Sequence, residues 1–250
     1  RLAVFAGIPR FNLDQLDRMQ ERAAPPRFQG FLRPTTDNIL RVKPEANPAG
    51  YIRIWKLPAL RRRYVIGADV AEGVEGGNFS SAHVLDRETW EIVAAWHGHI
   101  EPERYGKELA MLGYLYNTAL IVVESNNHGL TTLTCIKNLG YSRIYYGKNI
   151  EARGRVQQRL GFRTDMKTKP MLINAIGDFL QVEQGQPDPY IPDADLIGEL
   201  QTYGVMENGT TEAQAGSYDD RVISFGLALE GCKRQSLRSI YPDLNTREMR

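Results

Sequence analysis

Three apolar segments of this chain carry carboxylates at their ends, and that pairing constrains the fold more than any other feature. Tyr64–Gly73 reads YVIGADVAEG, with Asp69 closing the apolar run; Leu120–Gly129 reads LIVVESNNHG, with Glu124 in the equivalent place; Ser217–Ser224 reads SYDDRVIS, with Asp219 and Asp220 ahead of an apolar pattern. An acid at the mouth of a buried strand loses its hydration, which is unfavourable unless a cation or hydrogen bonds compensate. Three such placements predict convergence on a divalent metal, whose preferred ligands are hard oxygens. Each acid also has a plainer role open to it. Asp69 precedes Gly73 and Gly76-Gly77 and suits a turn, and Asp219-Asp220 before an apolar run suits a helix N-cap.

The text around these acids reads as an α/β domain with an N-terminal extension. Asn12 opens a short helix with Leu13, Leu16 and Met19 at helical spacing, which Pro25-Pro26 stops. From Gln29 to Leu60 apolar and polar residues alternate as in an antiparallel ribbon, with Tyr51–Trp55 a strand. Arg63–Asp69, Ser81–Asp86 and Glu91–His97 then predict a three-strand meander. Pleating sends Tyr64, Ile66 and Ala68 to one face and Val65, Gly67 and Asp69 to the other. Helices are expected over Pro102–Asn117, Gly129–Leu139, Lys169–Val182, Asp195–Thr202 and Asp220–Glu230, and strands over Ala119–Val123 and Ser142–Tyr146. Residues 147–168 read as irregular. The expected units are an extension over 1–60, a core domain over 61–232 and a tail over 233–250. The chain opens on Arg1 without a turn signal, the reading of a fragment or processed product.

Composition narrows the function classes only a little. With 250 residues, 42% hydrophobic and 24% charged, the chain is ordinary globular material. It contains no apolar run of the roughly 18 to 20 residues that a membrane helix needs. A net charge of +1 gives no global attraction to nucleic acid, so any such contact must be local. Cys135 and Cys232 lack metal-site spacing and read as buried free thiols. Arg61-Arg62-Arg63 suits either a solvated sheet edge or phosphate contact.

The order of strands, helices and acids resembles the ribonuclease H-like fold, a mixed sheet flanked by helices. More narrowly, five phrases resemble the C-terminal nuclease domain of tailed-bacteriophage terminase large subunits. They are GADVAEG (67–73), VVESNNHG (122–129), GFRTD (161–165), IGELQTY (197–203) and YDDRVISF (218–225). The resemblance covers roughly residues 60–231. It implies a metal-dependent endonuclease that cuts concatemeric double-stranded viral DNA during genome packaging, in the cytoplasm of the infected bacterial host and away from any membrane. It further implies a motor ATPase domain on the same polypeptide, with the portal protein and the small terminase subunit as partners. No Gly-x-x-x-x-Gly-Lys-Ser/Thr loop occurs here, so ATP hydrolysis by that route is not expected of this chain. Asn78 departs from the family, which often has aspartate after the Gly-Gly turn.

Phosphodiester hydrolysis by two Mg²⁺ or Mn²⁺ ions requires carboxylates that converge on both. Asp69, Glu124, Asp219 and Asp220 are the candidate catalytic and metal-ligating residues, Asp69 as the bridging ligand. His128 is a candidate for positioning phosphate or water, or simply caps the following helix. Arg153, Arg155, Arg159, Lys167 and Lys169 are candidate DNA contacts or solvated loop cations. His83, His97 and His99 receive no role. Other readings stay open. A resolvase-type ribonuclease H-like nuclease would use the same acids, and an actin-like sugar kinase would need further glycine-rich loops that are absent. A non-catalytic docking module of a packaging motor would use the acids only as caps.

Overall fold

A computed structural model describes residues 8–35, 39, 41–74, 77–150, 156–182, 188–206, 210–214 and 216–234. A two-residue strand β1 (Ile8–Pro9) leads into α1 (Leu13–Arg22), where the Asn12 side chain accepts from the Gln15 amide at 3.1 Å and Leu16 and Met19 are buried. The ribbon follows as β2 (Phe28–Pro34), β3 (Val42–Ala46) and β4 (Ile52–Ile54). The meander is β5 (Tyr64–Asp69), β6 (Ser80–Asp86) and β7 (Ile92–Gly98). Next come α2 (Pro102–Leu115), β8 (Leu120–Val123), α3 (Asn127–Asn138), β9 (Tyr146–Ile150), β10 (Val156–Leu160) and α4 (Lys169–Leu180). The described chain closes with α5 (Ala194–Gln201), β11 (Tyr203–Val205), β12 (Thr211–Ala213) and α6 (Asp220–Arg234).

Seven strands form one sheet in the order β3-β2-β4-β7-β6-β5-β8. Neighbours are antiparallel except β5 and β8, which run parallel from Val65↔Leu120 to Ala68↔Val123. The ribbon is continuous with the meander through β4 and β7, paired at Arg53↔Ala95. β8 is apolar throughout and buried throughout, as a parallel strand covered on both faces must be.

The pleat divides the core in two. Tyr64, Ile66, Ala68, Ile121 and Val123 pack beneath α2 and α3 with Tyr105, Leu109, Leu133 and Ile136. Val65, Leu120 and Val122 face the opposite layer, with Leu172 and Ile176 of α4, Leu196 of α5, and Val222, Phe225 and Leu229 of α6. Gly67 lies on this second face. A Cβ there would collide with the Ala228 amide nitrogen and the Ser224 carbonyl, so its bareness lets α6 lie directly on β5. That close approach brings the start of α6 beside the end of β5.

Two expectations fail locally. Residues 147–168 are not wholly irregular, because β9 and β10 form an antiparallel hairpin from Tyr146↔Leu160 to Ile150↔Val156. Its VQQRL strand has apolar residues only at its ends, so neither helical nor strand periodicity marks it. The Ser142–Tyr146 segment is not a strand of that span. It meets β8 through the Ile121 amide to the Arg143 carbonyl and the Tyr145 amide to the Ile121 carbonyl, both 2.9 Å, before strand β9 begins at Tyr146. Cys135 and Cys232 are free and buried. Among the described residues no helix is long and apolar enough to cross a membrane.

Candidate active site

Parallel pairing of β5 and β8 sets the first two acids side by side. The Glu124 amide donates to the Ala68 carbonyl at 3.0 Å, so the residues that follow Ala68 and Val123 leave the sheet together. These are Asp69 and Glu124. Asp69 folds one carboxylate oxygen back on the Val70 amide at 2.9 Å. Glu124 is held by Asn126, whose Nδ2 donates to Glu124 Oε2 at 3.1 Å and to the Val70 carbonyl at 3.3 Å. The Asn126 Oδ1 accepts from the Gly129 amide at 2.7 Å and so caps α3. One asparagine thus starts a helix and orients an acid. Sequence reading passed over it, although an Asn two residues beyond a strand-end acid and three before a glycine is a legible signal.

The other two acids come from the start of α6, and neither carboxylate caps that helix in the hydrogen bonds of the described residues. Asp220 Oδ2 accepts from the Phe79 amide at 3.4 Å, and Asp219 Oδ2 meets Lys169 Nζ at 3.4 Å. The α6 amide terminus is served instead by Glu199 of α5, which accepts from the Arg221 amide at 2.8 Å and from Arg221 Nη1 at 2.6 Å. A carboxylate at a helix N-terminus is favoured by unpaired amides and the macrodipole. Because Glu199 takes that position, Asp219 and Asp220 are released to face the cleft. Burial pushes the Glu199 carboxyl up to about 7, against the pull of Arg221 in the other direction.

All four acids line a single cleft of about 230 Å³, together with Val70, Ala71, Asn78, Asn126, Thr164, Lys169 and Ile223. Their mutual field is strong. Burial, then Glu124, Asp220 and Asp219, raise the Asp69 carboxyl well above the ordinary carboxylate range. Burial and the nearby Asp219 raise Asp220 to about 6, with the Phe79 amide opposing. Burial alone would lower the Lys169 ammonium, but Tyr203 and Asp219 outweigh it and leave it raised. Thr164 Oγ1 is buried on this lining without a hydrogen-bond partner among the described residues. Even so, among the described residues no three His, Cys, Asp or Glu side chains stand in ligating geometry. The four acids share the space while each leans on a protein donor: Asp69 on Val70, Glu124 on Asn126, Asp219 on Lys169 and Asp220 on Phe79.

The remaining candidates are distributed around this cleft. His128 sits in the first turn of α3 with Nε2 3.4 Å from Glu72 Oε1; it does not line the cleft, and the cap of α3 belongs to Asn126. Lys169 points inward, to Asp219 and over the Tyr203 ring at 5.9 Å. Lys167 is exposed on the turn before α4, and Arg159 is exposed on β10. Arg153 and Arg155 lie outside the described residues. A larger groove of about 580 Å³ lies between α2 and α3, lined by Glu103, Lys107, Leu130 and Cys135 among others, but it gathers no comparable set of acids.

No protein-family model matches this chain, and no curated protein matches it. Solved structures do. The large terminase nuclease from thermophilic phage G20c with bound magnesium is 17% identical, with a TM-score of 0.58 over 86% of this chain and 96% of that one. The form of the same nuclease with bound cobalt gives the same figures of 17%, 0.58, 86% and 96%. The large terminase nuclease domain of Thermus phage P74-26 is 17% identical, with a TM-score of 0.53 over 85% of this chain and 93% of that one. The chain therefore has the ribonuclease H-like fold of the phage large-terminase nucleases, a mixed sheet covered by helices on both faces, with its acidic cleft at the ends of β5 and β8.

Proposed function

We propose that this chain is the nuclease domain of a tailed-phage terminase large subunit, a divalent-metal-dependent endonuclease acting on double-stranded DNA during genome packaging. The observation that carries the reading is that, among the described residues, four carboxylates line one cleft beside a single lining lysine, with the capping duty at α6 taken over by Glu199. Like charges gathered this way are unfavourable in the absence of a cation, and burial first, then these neighbours, raise the Asp69 carboxyl. The donor set is all oxygen, which fits Mg²⁺ or Mn²⁺. The similar G20c nuclease occurs with bound magnesium, cobalt and zinc.

On this reading Asp69, Glu124 and one or both of Asp219 and Asp220 would hold two ions. The chemistry those ions supply when bound is activation of water and stabilisation of the leaving oxygen. The chain's own residues do the rest. Asn126 fixes the Glu124 carboxylate, and Glu199 with Arg221 fixes the first turn of α6. Lys169 offsets the charge of Asp219, and Lys167 and Arg159 contact backbone phosphates outside the cleft. Partners on this reading are the motor ATPase domain of the same polypeptide, the portal protein and the small terminase subunit, in the cytoplasm of the infected host.

The test is incubation of supercoiled plasmid with the chain in Mn²⁺ or Mg²⁺. Nicked and linear products are expected, lost in Asp69→Ala and Glu124→Ala variants that still fold. Absence of cleavage, together with absence of Mn²⁺-dependent thermal stabilisation, would return the acids to a structural role and favour a docking module.

A further inference from the structure

The geometry points to a nucleobase-stacking subsite formed by Tyr218 and Phe79, an aromatic wall beside the acidic cleft and outside its lining, which takes a base that has left its stack next to the scissile phosphate. It rests on the nuclease reading for the identity of the ligand, and on separate residues for the site. Phe79 follows Asn78, which lines the cleft, and its amide donates to Asp220. Tyr218 immediately precedes Asp219. The two rings meet edge to face, with centroids 5.4 Å apart at 82°. Phe79 is backed in turn by His97 at 4.5 Å and 26° and by His99 at 3.9 Å and 32°. Tyr218 is the outer ring of this series and remains 47% exposed.

Ordinary core packing does not account for the arrangement. His97 Nε2 and His99 Nδ1 are buried without hydrogen-bond partners among the described residues, so the stack is held at the expense of two polar atoms. Buried unsatisfied groups of this kind recur where a structure serves something besides stability. What the stack offers is an aromatic surface in which Tyr218 directly precedes Asp219 and the Phe79 amide meets Asp220. A phosphate would be repelled by those acids unless metal were bound, and the one donor the two rings offer it is the Tyr218 hydroxyl, which Tyr218→Phe removes. A base fits, because each nucleotide has a π face to offer an aromatic side chain whatever its sequence. A phosphate held over the acids brings its own nucleoside against this wall, and stacking there requires the base to part from its neighbour. The subsite therefore favours DNA that is locally unpaired at the cut.

The test uses a single-stranded oligonucleotide carrying 2-aminopurine, with Ca²⁺ in place of Mn²⁺ to slow cleavage. Binding to the unaltered chain and to Tyr218→Phe is expected to quench the fluorescence. In Tyr218→Ala the quench is expected to disappear and affinity to fall roughly 5- to 150-fold, the span of alanine substitutions at base-stacking aromatics. Equal quench and affinity in Tyr218→Ala overturn the proposal, as does an equal loss in Tyr218→Phe. Oligonucleotides made abasic at one position after another repeat the test without a mutation: one position should weaken binding to the unaltered chain more than the others, and a uniform profile overturns the subsite. Plasmid cleavage separates the two claims. Cleavage with Tyr218-independent binding removes the subsite alone, whereas a Tyr218-dependent quench without cleavage removes the nuclease reading and leaves a nucleic-acid-binding wall.

Discussion

The start of α6 divides two clusters of charge that differ in one respect. Behind it, toward β4 and α5, every acid has a cation. Arg221 pairs with Glu199 at 2.6 Å and with Asp195 at 3.3 Å, and Arg53 reaches Asp195 at 2.6 Å and Asp193 at 3.4 Å. His83, fully buried, joins the same cluster through Asp193 Oδ2 at 3.4 Å and Ser224 Oγ at 2.9 Å. In front of it, Asp69, Glu124, Asp219 and Asp220 line a cleft with Lys169 as its lining cation. Asp220 and Glu199, the partner of the adjacent Arg221, thus belong to opposite regimes. The paired cluster sets each acid against a cation as folded and fixes α6. The cleft gathers more acid than cation, and crowding of that kind recurs at functional sites.

The largest expected effects separate the regimes by sign. Asp69→Asn should reduce cleavage by about a thousandfold or more, because on the nuclease reading Asp69 would help to hold the metal and its loss would remove several kcal/mol of transition-state stabilisation. The same change should leave the metal-free chain as stable or more stable, since it removes charge from a crowded site. Arg221→Met should do the reverse to the fold, lowering stability by about 3 to 5 kcal/mol because Glu199 is left buried without its partner. Chemical denaturation and plasmid cleavage on the two variants check both. A strongly destabilising Asp69→Asn, or a harmless Arg221→Met, would erase the distinction.

A smaller effect follows from pH. The Asp220 carboxyl stands at about 6 in the folded chain against an ordinary 3.8, and Asp69 is displaced in the same direction. A raised carboxyl means that the folded state keeps its proton where the unfolded chain has lost it. Stability of the metal-free chain should therefore be greatest below about pH 4 as far as these groups are concerned and fall by about 3 kcal/mol from Asp220 alone as pH rises from about 4 through 6. Asp220→Asn should flatten that slope, and Mn²⁺ should stabilise more at pH 7 than at pH 5. Thermal melts across this range, with and without Mn²⁺, give the comparison; a stability that rises with pH in the metal-free chain and is unaltered by Asp220→Asn contradicts it.

How much of this was legible beforehand depends on the range of the interaction. The strand-end acids and the face assignment of Asp69 follow from period-2 alternation, which is local, and the apolar run at Leu120–Val123 announced a strand buried on both sides. The release of Asp219 and Asp220 from capping was not legible. It depends on Glu199, some 20 residues upstream, reaching the Arg221 amide, and no local pattern in IGELQTY shows that its acid serves a different helix. The β9–β10 hairpin was missed because its sequence lacks periodicity and its position is set by the residues flanking it, Tyr145 and Phe162, which bond to β8. His97 and His99 had no role because the ring they support, Phe79, comes from the far side of a turn.

The finest test concerns Asn126, which stands between the regimes, being structural at one end of its amide and turned to the cleft at the other. Asn126→Ala removes an N-cap, for which the expected loss is about 1 kcal/mol of stability. It also frees Glu124 from its 3.1 Å donor, and loss of a group that orients a ligand typically weakens metal binding by about 10- to 100-fold. Asn126→Asp separates these two roles. Aspartate retains the oxygen that caps α3 but brings a fifth acid and no donor for Glu124, so stability without metal should return only in part while Mn²⁺ affinity differs from that of the alanine variant. Calorimetric titration with Mn²⁺ alongside denaturation reads both quantities. If Asn126→Ala altered stability and left Mn²⁺ affinity unchanged, the orientation of Glu124 would belong to the sheet alone, and the asparagine to the helix.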